Sequence, residues 1–195
     1  MTNQVTDIIL VPGIGNSGEA HWQSRWQERN ASMRRMRCSD WDRPDLGEWI
    51  AALDREVAAS KEPPWLVAHS LGCLLVAHWA STAVARVAGA FLVAVPDPSS
   101  PVFPSEAHSF AQVPAARLPF PSLIVASTDD PYASIDYASM RAAQWGSRVA
   151  VAGALGHING ASAIADWPQG KELWRAFAAE LARGQGGKDL GHFVE

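Results

Sequence analysis

Short apolar runs bounded by Gly, Pro or Ser recur along the chain, with room for a helix between most of them. Runs of this length that contain β-branched residues predict buried β-strands. The clear candidates are 7–11, 65–68, 90–95, 123–127 and 148–151, and a weaker one is 36–38. Most of these runs are continuously apolar, which is typical of strands that are covered on both faces of a sheet.

Segments with a helical period lie between these runs. One follows Asp45, which has Glu48 three residues later and so matches the pattern of a helix start. Its apolar face consists of Leu46, Trp49, Ile50, Leu53 and Val57. Another is predicted to begin after Pro168 and to end at Gly184. The inward positions of that second helix are Leu173, Trp174, Phe177 and Leu181.

The alternation of strand and helix predicts an α/β fold with three layers. We expect a mostly parallel sheet of about six strands with helices on both faces. The 195 residues suffice for one domain, which we place at 1–183, and we expect 184–195 to form a poorly ordered tail. Ligands of such sheets bind beyond the carboxyl ends of the strands, so the residues after each apolar run are the functional candidates.

The charge balance argues against a polyanionic partner. The formal net charge is −4, from 16 Lys and Arg against 20 Asp and Glu, so no global field attracts nucleic acid. A local basic run is interpreted as a solvated face near a helix end. It consists of Arg25, Arg29, Arg34, Arg35, Arg37 and Arg43.

The cysteines and the N-terminal residues indicate which metal sites and which cellular location to expect. Cys38 and Cys73 form no C-x-x-C pair, so we expect no thiolate metal site and no cofactor. The N-terminus lacks the features of a signal peptide, and no apolar segment approaches the roughly 20 residues of a membrane span. These features predict a cytoplasmic protein without a membrane partner.

The run 65–68 leads directly into His69-Ser70-Leu71-Gly72 and then into an apolar helix. This strand, small-x-Ser-x-Gly turn and helix are the pattern of a nucleophile elbow, in which small residues let strand and helix approach while the serine hydroxyl projects. Ala68 stands where the first glycine is usual. The pattern makes Ser70 the candidate nucleophile, although a five-residue motif alone is weak evidence.

Two later strand ends carry the other groups of a catalytic triad. Asp129 and Asp130 follow the run 123–127, and His157 follows 148–151 between Gly156 and Ile158. A buried acid holds a histidine in the correct tautomer, and the histidine activates the serine. Spacing does not choose between the two aspartates. The order Ser, Asp, His, each just after a strand, is the α/β-hydrolase order.

The loop after the first strand permits a second interpretation. Gly13, Gly15 and Gly18 form a G-x-G-x-x-G pattern, and Asp40 lies at the distance expected for a ribose contact in a dinucleotide-binding domain. The bulky residues after Gly18 disfavour that alternative, because close helix packing is needed there. In a hydrolase, the same loop supplies one oxyanion N–H, from Ile14 or Gly15, while Leu71 supplies the other.

At these residues the chain resembles the small serine hydrolases similar to retinoblastoma-binding protein 9 and its bacterial relatives. The matching segments are 13–18, 21–23, 69–72, 127–131 and 156–159, with Trp26, Trp167, Pro168 and Gly170. The resemblance implies Ser70 as nucleophile, His157 as base and Asp130 as acid. It also implies a compact α/β-hydrolase without a large lid domain that cleaves a small ester or amide. For some relatives a protein-binding role has been proposed, so a non-catalytic binding module is the other alternative.

Residues around the predicted site are candidates for substrate contacts. Asn16 and His69 adjoin the predicted oxyanion loop and the elbow, whereas Phe103 and His108 belong to the irregular stretch 96–121. That stretch could form a loop over the site. His21 is a further candidate for the border of the pocket. The substrate itself does not follow from the sequence.

Overall fold

Six parallel strands form a single sheet in the computed structural model, which describes residues 7–82 and 86–186. The strands are β1 (Ile8–Val11), β2 (Met33–Arg35), β3 (Trp65–His69), β4 (Gly89–Val93), β5 (Ser122–Ala126) and β6 (Arg148–Val151). Their spatial order is β2-β1-β3-β4-β5-β6. After β2, the chain crosses β1 and adds the later strands on the other side of the sheet. The crevice at the carboxyl ends of β1 and β3, where this order changes, is therefore the expected ligand position.

Five α-helices connect and cover the strands. They are α1 (Trp22–Glu28), α2 (Leu46–Ala58), α3 (Leu71–Ala80), α4 (Ile135–Trp145) and α5 (Pro168–Gly186). The predicted start of α2 is confirmed, because the Asp45 carboxylate accepts a hydrogen bond from the Glu48 N–H at 2.8 Å. Two short 3₁₀ segments, Ser105–Phe110 and Gly160–Ser162, lie in the connections after β4 and β6.

The sheet divides the apolar core into two halves. Ile9 and Val11 of β1 belong to the half that also contains Trp49 of α2, together with residues of α3 and α4. Ile8 of β1 belongs to the other half, with residues of α1 and α5. Successive side chains of a strand point to opposite faces, so both halves cover the sheet. The predicted three-layer α/β architecture is confirmed, and the described residues form no large additional domain.

The weak strand prediction at 36–38 is wrong by three residues. The edge strand is Met33–Arg35, and Ile8 of β1 pairs with Met33. Arg34 and Arg35 interrupt the apolar pattern of this strand, and polar groups bind both guanidinium groups. Arg34 lies 3.4 Å from Glu56, and Arg35 donates to the Ser24 hydroxyl at 2.7 Å. An edge strand with solvent on one side tolerates such side chains.

The last helix is longer than the pattern predicts. It continues to Gly186, two residues beyond the predicted end at Gly184, so the proposed tail 184–195 starts within a helix. The remaining residues of that tail, 187–195, lie outside the described residues. Within 7–82 and 86–186, no helix combines the length and the apolar character needed to cross a bilayer.

Candidate active site

Ser70 occupies a sharp turn between β3 and α3. Its φ of 54° and ψ of −125° are strained for a residue with a side chain. The neighbouring helix approaches the end of β1 closely, since a Cβ on Gly72 would lie 2.3 Å from the Val11 carbonyl oxygen and 2.6 Å from that of Pro12. The absence of a side chain at Gly72 permits this approach. The predicted strand-turn-helix geometry of a nucleophile elbow is therefore present.

A row of hydrogen bonds joins the three residues that the sequence singles out. His157 Nε2 lies 2.8 Å from the Ser70 hydroxyl oxygen. His157 Nδ1 lies 2.9 Å and 3.0 Å from the two carboxylate oxygens of Asp130. Because the carboxylate accepts, the proton of the neutral imidazole is assigned to Nδ1, which leaves Nε2 to accept from the serine. The arrangement has the geometry of a Ser-His-Asp triad.

The neighbouring carboxylate of Asp129 has different partners. It accepts from the Ser127 hydroxyl at 2.8 Å and from the Gly156 N–H at 2.7 Å. The hydrogen bond from Ser127 and, to a smaller extent, that from Gly156 hold the pKa of the Asp129 carboxyl below its usual range. Within the described residues, the imidazole of His157 is hydrogen-bonded to Asp130 and not to Asp129.

Tyr132 contacts both Asp130 and His157, and the sequence pattern did not identify it as a site residue. Its N–H donates to an Asp130 carboxylate oxygen at 2.9 Å, and its ring lies 4.3 Å from that of His157, centroid to centroid. The aromatic ring therefore covers one side of the imidazole. The available signal was its position directly after Asp130-Pro131, where a turn brings the following residue back toward the carboxylate.

The three N–H groups predicted as oxyanion donors, those of Ile14, Gly15 and Leu71, differ in availability. Gly15 is excluded as a donor because its N–H is hydrogen-bonded to the Trp41 carbonyl at 2.9 Å. Within the described part of the chain, the N–H groups of Ile14 and Leu71 have no hydrogen-bond acceptor. Gly13 lets the loop approach the elbow, since a Cβ there would lie 3.0 Å from the Ser70 Cβ and 3.2 Å from the Leu71 nitrogen. Ile14 and Leu71 therefore remain as the donor pair.

Ser70 and His157 line a cleft of about 300 Å³. Asn16, His69 and Phe103, which the sequence predicts to contact the substrate, also line this cleft. His108 does not line it and is a wrong prediction. It is exposed on the 3₁₀ segment Ser105–Phe110, and its Nδ1 lies 3.2 Å from the Ser105 carbonyl oxygen. The inward positions of that segment are occupied instead by Ala107 and Phe110.

Two histidines beside the elbow are held neutral by burial. Burial lowers the pKa of His69 well below its usual value, and its Nε2 lies 2.9 Å from the His157 carbonyl oxygen. Burial, assisted by the charge of Arg35, lowers the pKa of His21 to about 4. His21 lines the cleft, and its Nδ1 accepts from the Gln23 N–H at the start of α1. Both rings are therefore uncharged near neutral pH.

The glycines of the G-x-G-x-x-G pattern do not pack as the dinucleotide interpretation requires. A Cβ on Gly18 would meet open space, so this glycine is not required for close packing of a helix on the strand. The following helix, α1, begins only at Trp22. Gly13 packs instead against the serine turn, as described above. The loop thus contributes to the Ser70 site.

Comparison with known proteins agrees with this geometry. Residues 8–176 match the family model of serine hydrolases. The chain belongs to the serine hydrolase family. It is similar to a YdeN-like hydrolase from Pectobacterium atrosepticum, with 31% identity, 90% of this chain and 91% of that chain covered, and a TM-score of 0.81. A search of curated proteins found no match.

More distant structures share the fold. The ydeN gene product of B. subtilis is 19% identical over 88% of this chain and 98% of that chain, with a TM-score of 0.75. A monoacylglycerol lipase from Paleococcus ferrophilus is 15% identical over 89% and 93%, with a TM-score of 0.66. These findings confirm a small serine hydrolase with an α/β-hydrolase fold. The specific likeness to retinoblastoma-binding protein 9 stays a prediction.

Proposed function

We propose that this family member hydrolyses a small carboxylic ester or amide through an acyl-enzyme formed on Ser70. The observation that supports this proposal most is the unbroken row of hydrogen bonds from Asp130 through His157 to the Ser70 hydroxyl, which ends at the cleft. A serine hydroxyl is a weak nucleophile unless an adjacent base removes its proton. The row provides that base and the acid that orients it.

In the first step, the Ser70 oxygen attacks the substrate carbonyl carbon while its proton moves to His157 Nε2. The carbonyl oxygen becomes an oxyanion, which the N–H groups of Leu71 and Ile14 stabilise. Asp130 stabilises the positive charge on the imidazole. The intermediate then collapses, the bond to the alcohol or amine breaks, and the leaving group takes the proton from Nε2.

In the second step, water attacks the acyl-enzyme. His157 Nε2 accepts a proton from this water, and a second oxyanion forms in the same backbone site. Collapse releases the carboxylic acid and returns the proton to the Ser70 oxygen. The balance is one water consumed and one ester or amide bond broken, with no other reactant.

The size and lining of the cleft favour a small substrate. Its volume of about 300 Å³ lies at the lower end of the range for ligand pockets. Because His157 returns a proton to the leaving group, that group must lie beside the imidazole. We place the acyl group against the apolar side chains of Phe103 and Ala107, which also line the cleft.

A fluorophosphonate probe tests the proposal directly, because it reacts with activated serines. We expect mass spectrometry to locate the label on Ser70, and we expect the Ser70→Ala variant to remain unlabelled and to lose hydrolysis of p-nitrophenyl butyrate. A folded wild-type protein that is neither labelled nor active would overturn the proposal and favour a non-catalytic binding module. The dinucleotide alternative predicts a concentration-dependent rise in Tm with NAD or NADP.

A further inference from the structure

Two side chains from the connection after β5 hold amides of the loop 155–158. The Ser127 hydroxyl accepts from the Leu155 N–H at 2.9 Å. The Asp129 carboxylate accepts from the Gly156 N–H at 2.7 Å and also from the Ser127 hydroxyl. Both acceptors follow β5, so the end of that strand is tied to the loop just before His157.

The carbonyl groups of the same loop are held from another direction. His69, the last residue of β3, has its Nε2 2.9 Å from the His157 carbonyl oxygen. Since a carbonyl only accepts, the neutral His69 carries its proton on Nε2. Trp22 of α1 donates its indole N–H to the Ile158 carbonyl at 2.8 Å. Each of the four consecutive loop residues is therefore bound by a side chain from a distant part of the chain.

The loop conformation needs such support. Ile158 is fully buried and has a φ of 46°, and Gly156 has a φ of 55°. A positive φ in a β-branched residue is a rare, strained conformation. Such a conformation persists only when the surroundings determine it. The loop therefore depends on these contacts to present His157.

We propose that Asp129 and His69 are positioning residues that hold the main chain at Gly156 and at His157. The inference rests on the proposed function, because it assigns these residues a role in the same reaction. The imidazole of His157 must reach Ser70 and Asp130 at once, and a displacement of about 1 Å in such a site costs roughly 10²-fold in rate. Neither residue touches the reacting atoms.

The role of Asp129 depends on an acceptor oxygen rather than on charge. Its Oδ1 accepts both hydrogen bonds, and the side-chain oxygen of an asparagine can accept the same two. An alanine accepts neither. Comparison of Asp129→Asn with Asp129→Ala therefore separates the effect of the acceptor oxygen from that of the charge. Glu172→Ala, at an exposed position of α5, is the control for loss of a carboxylate.

Steady-state kinetics with p-nitrophenyl butyrate test Asp129. We expect Asp129→Ala to lower kcat by about 10- to 100-fold with KM within about threefold, and Asp129→Asn to restore most of kcat. Equal impairment of both variants, or wild-type kcat in Asp129→Ala, overturns the inference. Melting curves exclude unfolding as the cause, and fluorophosphonate labelling of wild-type Ser70 shows separately whether the proposed function stands.

His69 is tested with a donor and a non-donor of similar length. His69→Gln can place an amide N–H near the position of Nε2, whereas His69→Met cannot donate. We expect kcat to fall by at least tenfold in His69→Met and to be largely rescued in His69→Gln, with little change in KM. If the two variants have equal kcat while both remain folded, the hydrogen bond to His157 has no positioning role. If the methionine variant unfolds, the comparison of His69→Gln with wild type carries the test, and a tenfold loss of kcat there overturns the inference.

Discussion

Asp129 and Asp130 are consecutive residues whose carboxylates bind different parts of one loop. Asp130 lies 2.9 Å from the imidazole Nδ1 of His157, whereas Asp129 lies 2.7 Å from the backbone nitrogen of Gly156. One carboxylate thus contacts the side chain that the proposed mechanism protonates, and the other contacts only the main chain that carries it. The same chemical change at the two positions should have different consequences.

The first prediction concerns Asp130→Asn. We expect kcat for p-nitrophenyl butyrate to fall by about 10⁴-fold, because an amide does not hold the histidine in the required tautomer or stabilise its positive charge. Steady-state kinetics measure the effect, with Glu172→Gln on the exposed surface of α5 as an isosteric control. A loss of less than tenfold contradicts the assignment of Asp130 as the triad acid.

The sequence predicts the positions of the triad because parallel strands end at one edge of the sheet. Ser70, Asp130 and His157 each follow a parallel strand, so the topology brings them together whatever the details of the loops, even though β6, the strand before His157, is largely exposed. The choice between Asp129 and Asp130 does not follow from spacing. Both carboxylates have the same reach, and only the path of the loop 155–158 decides which one meets the imidazole.

The wrong predictions have physical causes that an apolar pattern does not reveal. Gly15 is unavailable as an oxyanion donor because Trp41, from another loop, accepts its N–H. His108 points away from the cleft because Ala107 and Phe110 take the inward positions of a 3₁₀ turn. The sequence pattern predicts the edge strand at 36–38 rather than at Met33–Arg35, because Arg34 and Arg35 interrupt its apolar run.

The second prediction compares Gly72→Ala with Gly47→Ala. At Gly72 the new Cβ meets backbone oxygens at 2.3 Å and 2.6 Å, so the elbow or the end of β1 must move. We expect the free energy of unfolding to fall by about 3 kcal/mol or more. In the exposed helix position Gly47, alanine should add about 0.5–1 kcal/mol. Urea denaturation measures both, and equal effects contradict the packing argument.

The third prediction tests the acyl side of the cleft with Ala107→Leu. Ala107 is fully buried and lines the cleft, so three added carbons should occupy space for the acyl chain. Each buried methylene is worth about 0.8 kcal/mol. We therefore expect kcat/KM for p-nitrophenyl hexanoate to fall at least tenfold relative to that for the acetate. The control is Val102→Leu, at a half-exposed position of the stretch 96–121 that also contains Ala107. Equal losses for both esters contradict the proposed orientation.

The fourth prediction concerns stability in mild acid. Burial, Arg35 and His157 together lower the pKa of His21 from 6.5 to about 4. Between these values the unfolded chain binds a proton at this residue and the native chain does not, so stability falls as pH falls. The full contribution is present above pH 6.5. It amounts to about 3 kcal/mol, which is lost progressively as pH falls toward 4.

His21→Asn isolates this effect because asparagine is a good N-cap and can still accept from the Gln23 N–H at the start of α1. The cavity that this substitution leaves changes the free energy of unfolding by a similar amount at every pH. The loss of the titrating imidazole instead changes the slope of that free energy against pH. We expect the slope of unfolding free energy against pH, from 4 to 6.5, to decrease by up to about 1.4 kcal/mol per pH unit. Denaturation at several pH values measures it, with exposed His108→Asn as the matched substitution. An unchanged slope would show that His21 is not kept neutral by its surroundings.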